Sequence, residues 1–161
     1  MKKTLFVLFL AISGFLTSCT TSYYVVRHGE KTTAPPKDPV LSETGMARAQ
    51  KLKAQLKDKG IKKIYSSNTQ RTKMTAQPLA DVLGVQIEVY NPLDQLPFIE
   101  KLKSSRDNTL VVAHSNTIKQ VLNGLAGKEV LAKDLDESEY DNIYVIKRSK
   151  SGKATVKAGK Y

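Results

Sequence analysis

The 161-residue chain has one cysteine, two histidines and far fewer acids than bases, 15 Asp and Glu against 26 Lys and Arg. A single cysteine, Cys19, excludes an internal disulfide. The two histidines, His28 and His114, are not joined by cysteines or carboxylates at metal-ligand spacing, so no metal site is expected and no cofactor is implied. There is no internal repeat, no low-complexity tract and no linker long enough to divide the chain into two domains. The length suits one domain with a substantial core. The longest apolar run, Leu5 to Phe15, is too short for a comfortable transmembrane span. The shortage of acids leaves a formal charge of +11, which suits anionic partners: phosphorylated substrates, anionic lipid or nucleic acid. No nucleic-acid module is recognisable. The lysines are scattered through helical stretches (Lys51, Lys53, Lys57, Lys59) and the C-terminal tail (Lys147, Lys150, Lys153, Lys157, Lys160). That pattern reads as solvated faces plus attraction to an anionic envelope.

What is present begins with the N-terminus. Met1-Lys2-Lys3, the apolar run and Leu16-Thr17-Ser18-Cys19 have the order of a secretory signal: positive, apolar, small. Leu-x-x-Cys resembles the lipobox of bacterial lipoproteins. That resemblance implies removal of residues 1–18, lipid on Cys19, and a cell-envelope, membrane-anchored protein on a periplasmic or surface face. Thr20, not Asp, follows the cysteine, which under the enterobacterial sorting rule favours the outer membrane. Residues 19–22 then form a short lipidated tether, and residues 23–161 the domain.

Along that domain, apolar β-branched runs alternate with helical patterns. Strands are expected at Tyr23–Val26, Ile61–Tyr65, Val85–Tyr90 and Thr109–Ala113. Helices are expected from a cap at Ser42, over Thr69–Leu83 with a kink or break before Pro78, over Leu93–Lys103 interrupted by Pro97, and over Thr117–Leu125. Glu30 to Leu41 is a loop held irregular by Pro35, Pro36 and Pro39, and it passes over the end of the first strand. Gly127 to Tyr140 is an acidic segment of uncertain form. Ile143–Arg148 and Lys153–Lys157 read as a hairpin. The alternation predicts an α/β single-domain three-layer sandwich: a mainly parallel sheet, helices on both faces and an antiparallel C-terminal edge hairpin.

Two of the strand-to-loop junctions carry the two histidines: Val26-Arg27-His28-Gly29 and Ala113-His114-Ser115. A third junction, Tyr65-Ser66-Ser67, leads to Arg71 at the start of a helix. In open parallel sheets this carboxyl edge is where ligands bind. Two imidazoles and two guanidiniums converging there suit a phosphoryl group: Arg forks match its oxygens, helix N-termini add N–H donors, and a neutral imidazole nitrogen can attack phosphorus.

Four stretches, Val-Val-Arg-His-Gly-Glu (25–30), Leu-Ser-Glu-Thr-Gly-Met-Ala-Arg-Ala (41–49), Tyr-Ser-Ser-Asn-Thr-Gln-Arg-Thr-Lys-Met-Thr-Ala (65–76) and Val-Val-Ala-His-Ser-Asn-Thr (111–117), together resemble the motifs of the histidine phosphatase superfamily, the phosphoglycerate-mutase-like fold. The resemblance implies a metal-independent phosphatase. His28 is then the nucleophile that becomes phosphohistidine, Arg27 and Arg71 bind phosphate, and His114 binds phosphate and stabilises the transition state. Ser115 offers a backbone donor, and otherwise caps the following helix with Asn116. Ser67 and Thr75 read as local structure. The family's acid after the third strand has Asp94 as its best-placed counterpart, with Glu100 a poorer one. The Asn that commonly follows the first motif is absent, and the chain resembles the compact phosphohistidine-phosphatase branch more than the mutases.

The substrate so implied is a phosphorylated small molecule or a phosphoprotein. Alkyl phosphates need a positioned acid, worth roughly 10² to 10⁴ in rate, so a misplaced Asp94 predicts a preference for good leaving groups. Arg27 and Arg71 are expected to lower the His28 pKa, giving useful activity on the mildly acidic side of neutral. A non-catalytic phosphate-binding lipoprotein on the same fold is the alternative.

Overall fold

Runs of Val, Ile and Leu bounded by Gly and polar turns become strands, and the amphipathic stretches between them become helices. The computed structural model describes residues 20–161, so the signal-peptide and Cys19 expectations lie outside the described residues. In chain order the elements are β1 (Thr20–Arg27), α1 (Glu43–Leu56), β2 (Ile61–Ser66), α2 (Gln70–Leu83), β3 (Ile87–Val89), α3 (Gln95–Ser104), β4 (Asn108–Ala113), α4 (Ile118–Ala126), β5 (Asn142–Ser149) and β6 (Ala154–Lys160). The sheet order is β3-β2-β4-β1-β5-β6. β1, β2, β3 and β4 are parallel, while β5 and β6 run antiparallel at one side. The expected α/β sandwich and C-terminal hairpin are therefore observed.

Alternation along β1 divides the core. Tyr24 and Val26 pack with Leu52 and Leu56 of α1 and Ala76 and Leu79 of α2. Tyr23 and Val25 pack with Phe98 and Leu102 of α3 and Ile118 and Leu122 of α4. Among the described residues, 20–161, these two cores cover both faces of the sheet.

Four local expectations are corrected. Thr20–Ser22 are not a tether: they pair with Lys147–Ser149 as the first residues of β1, and Thr21 is buried. Pairing with β5 and the burial of both Thr21 and Ser22 outweigh their polar composition. Pro97 does not interrupt α3, because it lies in the first turn, where the backbone N–H has no intrahelical partner to lose. α2 runs unbroken from Gln70 to Leu83 through Pro78. The third strand is limited to Ile87–Val89, at the sheet margin.

Candidate active site

β2, β4 and β1 are consecutive in the sheet, and their carboxyl ends lie side by side, with Arg27 opposite Ala113 and Ser66 opposite Val112. Arg27, His28, Ser67 and His114 therefore leave the sheet at one place. The His28 and His114 ring centroids are 5.3 Å apart. Arg71, one residue into α2, reaches both rings: its Nε donates to His28 Nε2 at 3.2 Å and its Nη2 lies 3.4 Å from His114 Nδ1.

The partners assign the protons. His28 Nδ1 lies 2.7 Å from the Gly29 carbonyl, which can only accept, so Nδ1 carries the hydrogen. Nε2 then holds the lone pair and faces Arg71. His114 Nε2 is 2.7 Å from Ser67 Oγ, which is 3.0 Å from Thr72 Oγ1. With Arg71 facing Nδ1, His114 donates from Nε2 into this hydroxyl chain. Burial, more than its charged neighbours, lowers the His28 pKa from 6.5 to about 3. Burial and then Arg71 and Arg27 lower that of His114 from 6.5 to about 4. Both imidazoles are neutral at neutral pH, and His28 is nucleophilic there. The expected lowering by the arginines is present, but desolvation is the larger cause.

Arg27 is only 1% exposed. Its Nη1 donates to the Asp136 and Glu139 carbonyls, and its Nη2 to Glu137 Oε2 at 2.7 Å. Tyr140 stacks under the guanidinium, 4.1 Å from Cζ to the ring centroid. Among the described residues its buried Nε has no hydrogen-bond partner, leaving one donor for an anion.

The remaining motif residues hold these groups in place. Thr75 Oγ1 accepts the Gly29 N–H at 2.9 Å and donates to the Arg71 carbonyl at 2.8 Å, tying the nucleophile's turn to the Arg71 helix. Ser42 Oγ caps α1 by accepting the Gly45 N–H. Gly45 lies so close to Glu30 that a Cβ there would collide with the Glu30 carbonyl. Arg48 clamps the Glu30 carboxylate with bonds of 2.8 and 2.5 Å, and holds the Glu30 pKa below the usual carboxylate range. Ser67 and Thr75, read from sequence as local structure, thus position His114 and His28.

The structure does not bring Asp94 into this cluster. Asp94 is the N-cap residue of α3 and no hydrogen bond or ion pair joins it to Arg27, His28, Arg71 or His114. It borders a groove with Leu93, Leu96 and Lys119 instead. Ser115 and Asn116 do not cap α4, because Thr117 takes that position and its Oγ1 accepts the His114 N–H. The Ser115 hydroxyl donates to Glu137 Oε1 at 2.7 Å.

Two carboxylates at the pocket were missed from sequence. Glu137 pairs with Arg27, and its pKa is lowered first by the Ser115 hydroxyl. Asp38 accepts the Gln70 N–H at the start of α2 and lies 3.7 Å from Arg71 Nη1. Asp38 lies in the loop that the sequence places over the strand end, so its position carries a signal. Glu137 carried no local signal, as its partner is 110 residues away.

The sequence model of the histidine phosphatase superfamily (branch 1) matches residues 23–98, from β1 into α3. No curated protein matches by sequence. Among solved structures, the chain is similar to the protein histidine phosphatase SixA complexed with tungstate, with a TM-score of 0.72 and 18% identity over 87% of this chain and 97% of that one. It is similar to the mycobacterial glucosyl-3-phosphoglycerate phosphatase, with a TM-score of 0.68 and 14% identity over 88% and 99%. It is also similar to a phosphoserine phosphatase from Entamoeba histolytica in complex with 3-phosphoglyceric acid, with a TM-score of 0.62 and 17% identity over 88% and 97%. The chain has the histidine phosphatase fold.

Proposed function

We propose that this chain, which has the histidine phosphatase fold, is a metal-independent phosphatase that hydrolyses phosphomonoesters or phosphoramidates through phospho-His28. The observation that carries this reading is the His28 imidazole. It is neutral, its Nδ1–H is committed to Gly29, and its Nε2 lone pair faces Arg71 inside a buried cationic pocket.

The phosphoryl oxygens take Arg27 Nε, Arg71 and His114 as partners. His28 Nε2 attacks phosphorus, a P–N bond forms, and the bond to the leaving group breaks with its electron pair. Water then attacks the phosphohistidine, the P–N bond breaks, and inorganic phosphate leaves with His28 restored. A dianionic phosphoryl group beside His114 opposes the effect of the arginines and raises the pKa of that ring. It then donates from Nδ1 as charge builds on the equatorial oxygens. Asp94 has no role in this scheme. Glu137 is held ionised by Ser115 and Arg27, so it is a poor proton donor. Substrates with good leaving groups, aryl phosphates and phosphoramidates including phosphohistidine, are therefore favoured over alkyl phosphates.

The test is hydrolysis of an aryl phosphate by residues 20–161 with EDTA present, beside His28→Ala. Turnover that disappears in the variant, with a phosphoenzyme trapped only in the wild type, is expected. Phosphate binding without turnover would support a binding protein instead. The same reading includes export and acylation at Cys19, on the strength of its lipobox resemblance. Incorporation of labelled palmitate that Cys19→Ser abolishes is expected, and unlabelled wild type would remove the anchor.

A further inference from the structure

β1 begins at Thr20 and ends at Arg27, the residue before His28. Its eight residues span about 23 Å. Thr20, the residue after Cys19 in the sequence, and the site therefore lie at opposite edges of the same sheet.

Six exposed basic residues gather at one edge of the sheet. The turns at the Thr20 edge carry Lys57 and Lys59 after α1, Arg106 before β4, Lys128 after α4, and Lys150 and Lys153 between β5 and β6, all exposed. The same turns carry three acids, Asp58, Asp107 and Glu129. Hydrogen bonds join these turns around the strand. The Ser22 N–H donates to Asn108 Oδ1, Asn108 Nδ2 donates to the Lys59 carbonyl, and Arg148 donates to the Leu125 and Gly152 carbonyls. The opposite edge, around the pocket, holds Asp38, Asp134, Asp136, Glu137, Glu139 and Asp141 beside Lys31, Lys37, Lys133 and Lys160, two of which pair with these acids. The molecule thus has a basic end, where β1 begins, and a rim at the site on which acids outnumber bases.

We propose that this basic edge docks on an anionic phospholipid bilayer, so that the pocket opens away from the membrane and takes substrates from solution rather than headgroups of the same bilayer. Nothing separates the domain from an acyl group on Cys19, so the first surface the lipid brings to the membrane is this ring of turns. A basic patch beside a lipid is the second signal that strengthens membrane attachment. The direction of the bilayer rests on the anchored reading above. Binding by the edge itself does not, because it is measured without the lipid.

The experiment uses residues 20–161 with phosphatidylcholine vesicles, alone or with about one-third phosphatidylglycerol. Sedimentation with the anionic vesicles only, abolished by salt near 0.5 M, is expected. Lys59→Glu with Lys150→Glu should weaken that binding about tenfold or more, whereas Lys51→Glu with Lys157→Glu, the same charge change elsewhere, should cost less than about threefold. A polarity-sensitive dye placed through Ser151→Cys should report burial on the vesicles, and one placed through Ser138→Cys, beside the pocket, should not. Equal loss in the two charge-reversal pairs, a response at residue 138, or binding to duplex DNA in place of vesicles would each overturn the proposal. Loss of palmitate labelling with vesicle binding intact would overturn the anchor alone.

Discussion

Two loops enclose the pocket, and they are built on opposite plans. Residues 29–42, leading from β1 into α1, are held by side chains and close backbone contact: Thr75 on Gly29, Arg48 on Glu30, and Gly45 against Glu30. Residues 127–141, between α4 and β5, hold Arg27 largely by carbonyls, those of Asp136 and Glu139, with Glu137 and Tyr140 adding one side chain each. The first loop depends on residue identity at fixed positions. The second depends on where the backbone runs, and many sequences can supply a carbonyl. The first should therefore be intolerant of substitution at points where the second is tolerant.

The largest test of this contrast is a pair of glycine changes. Gly45→Ala puts a methyl group into the Glu30 backbone, at an expected cost of about 1–3 kcal/mol or more, with kcat/KM reduced as the His28 turn shifts. Gly127→Ala meets nothing within 4 Å, although its φ of 67° is left-handed, so about 1–2 kcal/mol is expected with kcat/KM unchanged. Thermal melts and steady-state kinetics on both variants decide it. Equal loss of activity would mean that the two loops are equally rigid determinants of the site.

The same contrast explains what was legible in the sequence. The strand runs, the His28 and His114 junctions, Arg71 and the Ser42 cap are encoded within a few residues, because period-two burial and capping are local physics. Ser67 and Thr75 were visible as residues but not as partners. Their hydroxyls act on groups 47 and 46 positions away, and a hydroxyl after a strand reads equally well as a turn. Asp94 lies after β3, where the family resemblance points, but that position puts it at the head of α3, away from the rings. Glu137 sits in a segment without periodicity, and only the tertiary fold brings it to Arg27.

A smaller effect separates the two regions by pH. The folded-state pKa values of His28 and His114 are about 3 and about 4, below the 6.5 of an unfolded imidazole. Between these values the unfolded chain binds more protons than the folded one, so stability falls as pH drops below 6.5 and levels off below the folded values. Above 6.5 the pair contributes no slope. The carboxylates of the second loop, Glu137, Glu139 and Asp141, have lowered pKa values. Their contribution is present at higher pH and is lost only as the pH falls below the ordinary carboxylate range. Melting between pH 5 and 7 should therefore report the histidines alone, and His28→Asn with His114→Asn should flatten it. An unchanged slope in that variant would show that burial does not keep the rings neutral.

The smallest predicted effect has the opposite sign to the others. Glu137 is 75% exposed and its carboxylate sits 2.7 Å from the Arg27 guanidinium, on the cation that a phosphoryl group would use. Glu137→Gln preserves the shape and a bond from Ser115 but removes a negative charge from beside the pocket. Solvent screening limits the gain, so inhibition by inorganic phosphate should tighten by about three- to tenfold, with folding unaffected. The matching change in the first loop, Glu30→Gln, should instead weaken the protein, because the Arg48 pair that it breaks is only 17% and 22% exposed and fixes the turn after His28. Weaker phosphate inhibition in Glu137→Gln would make Glu137 a support for Arg27 and would place both loops on the same plan.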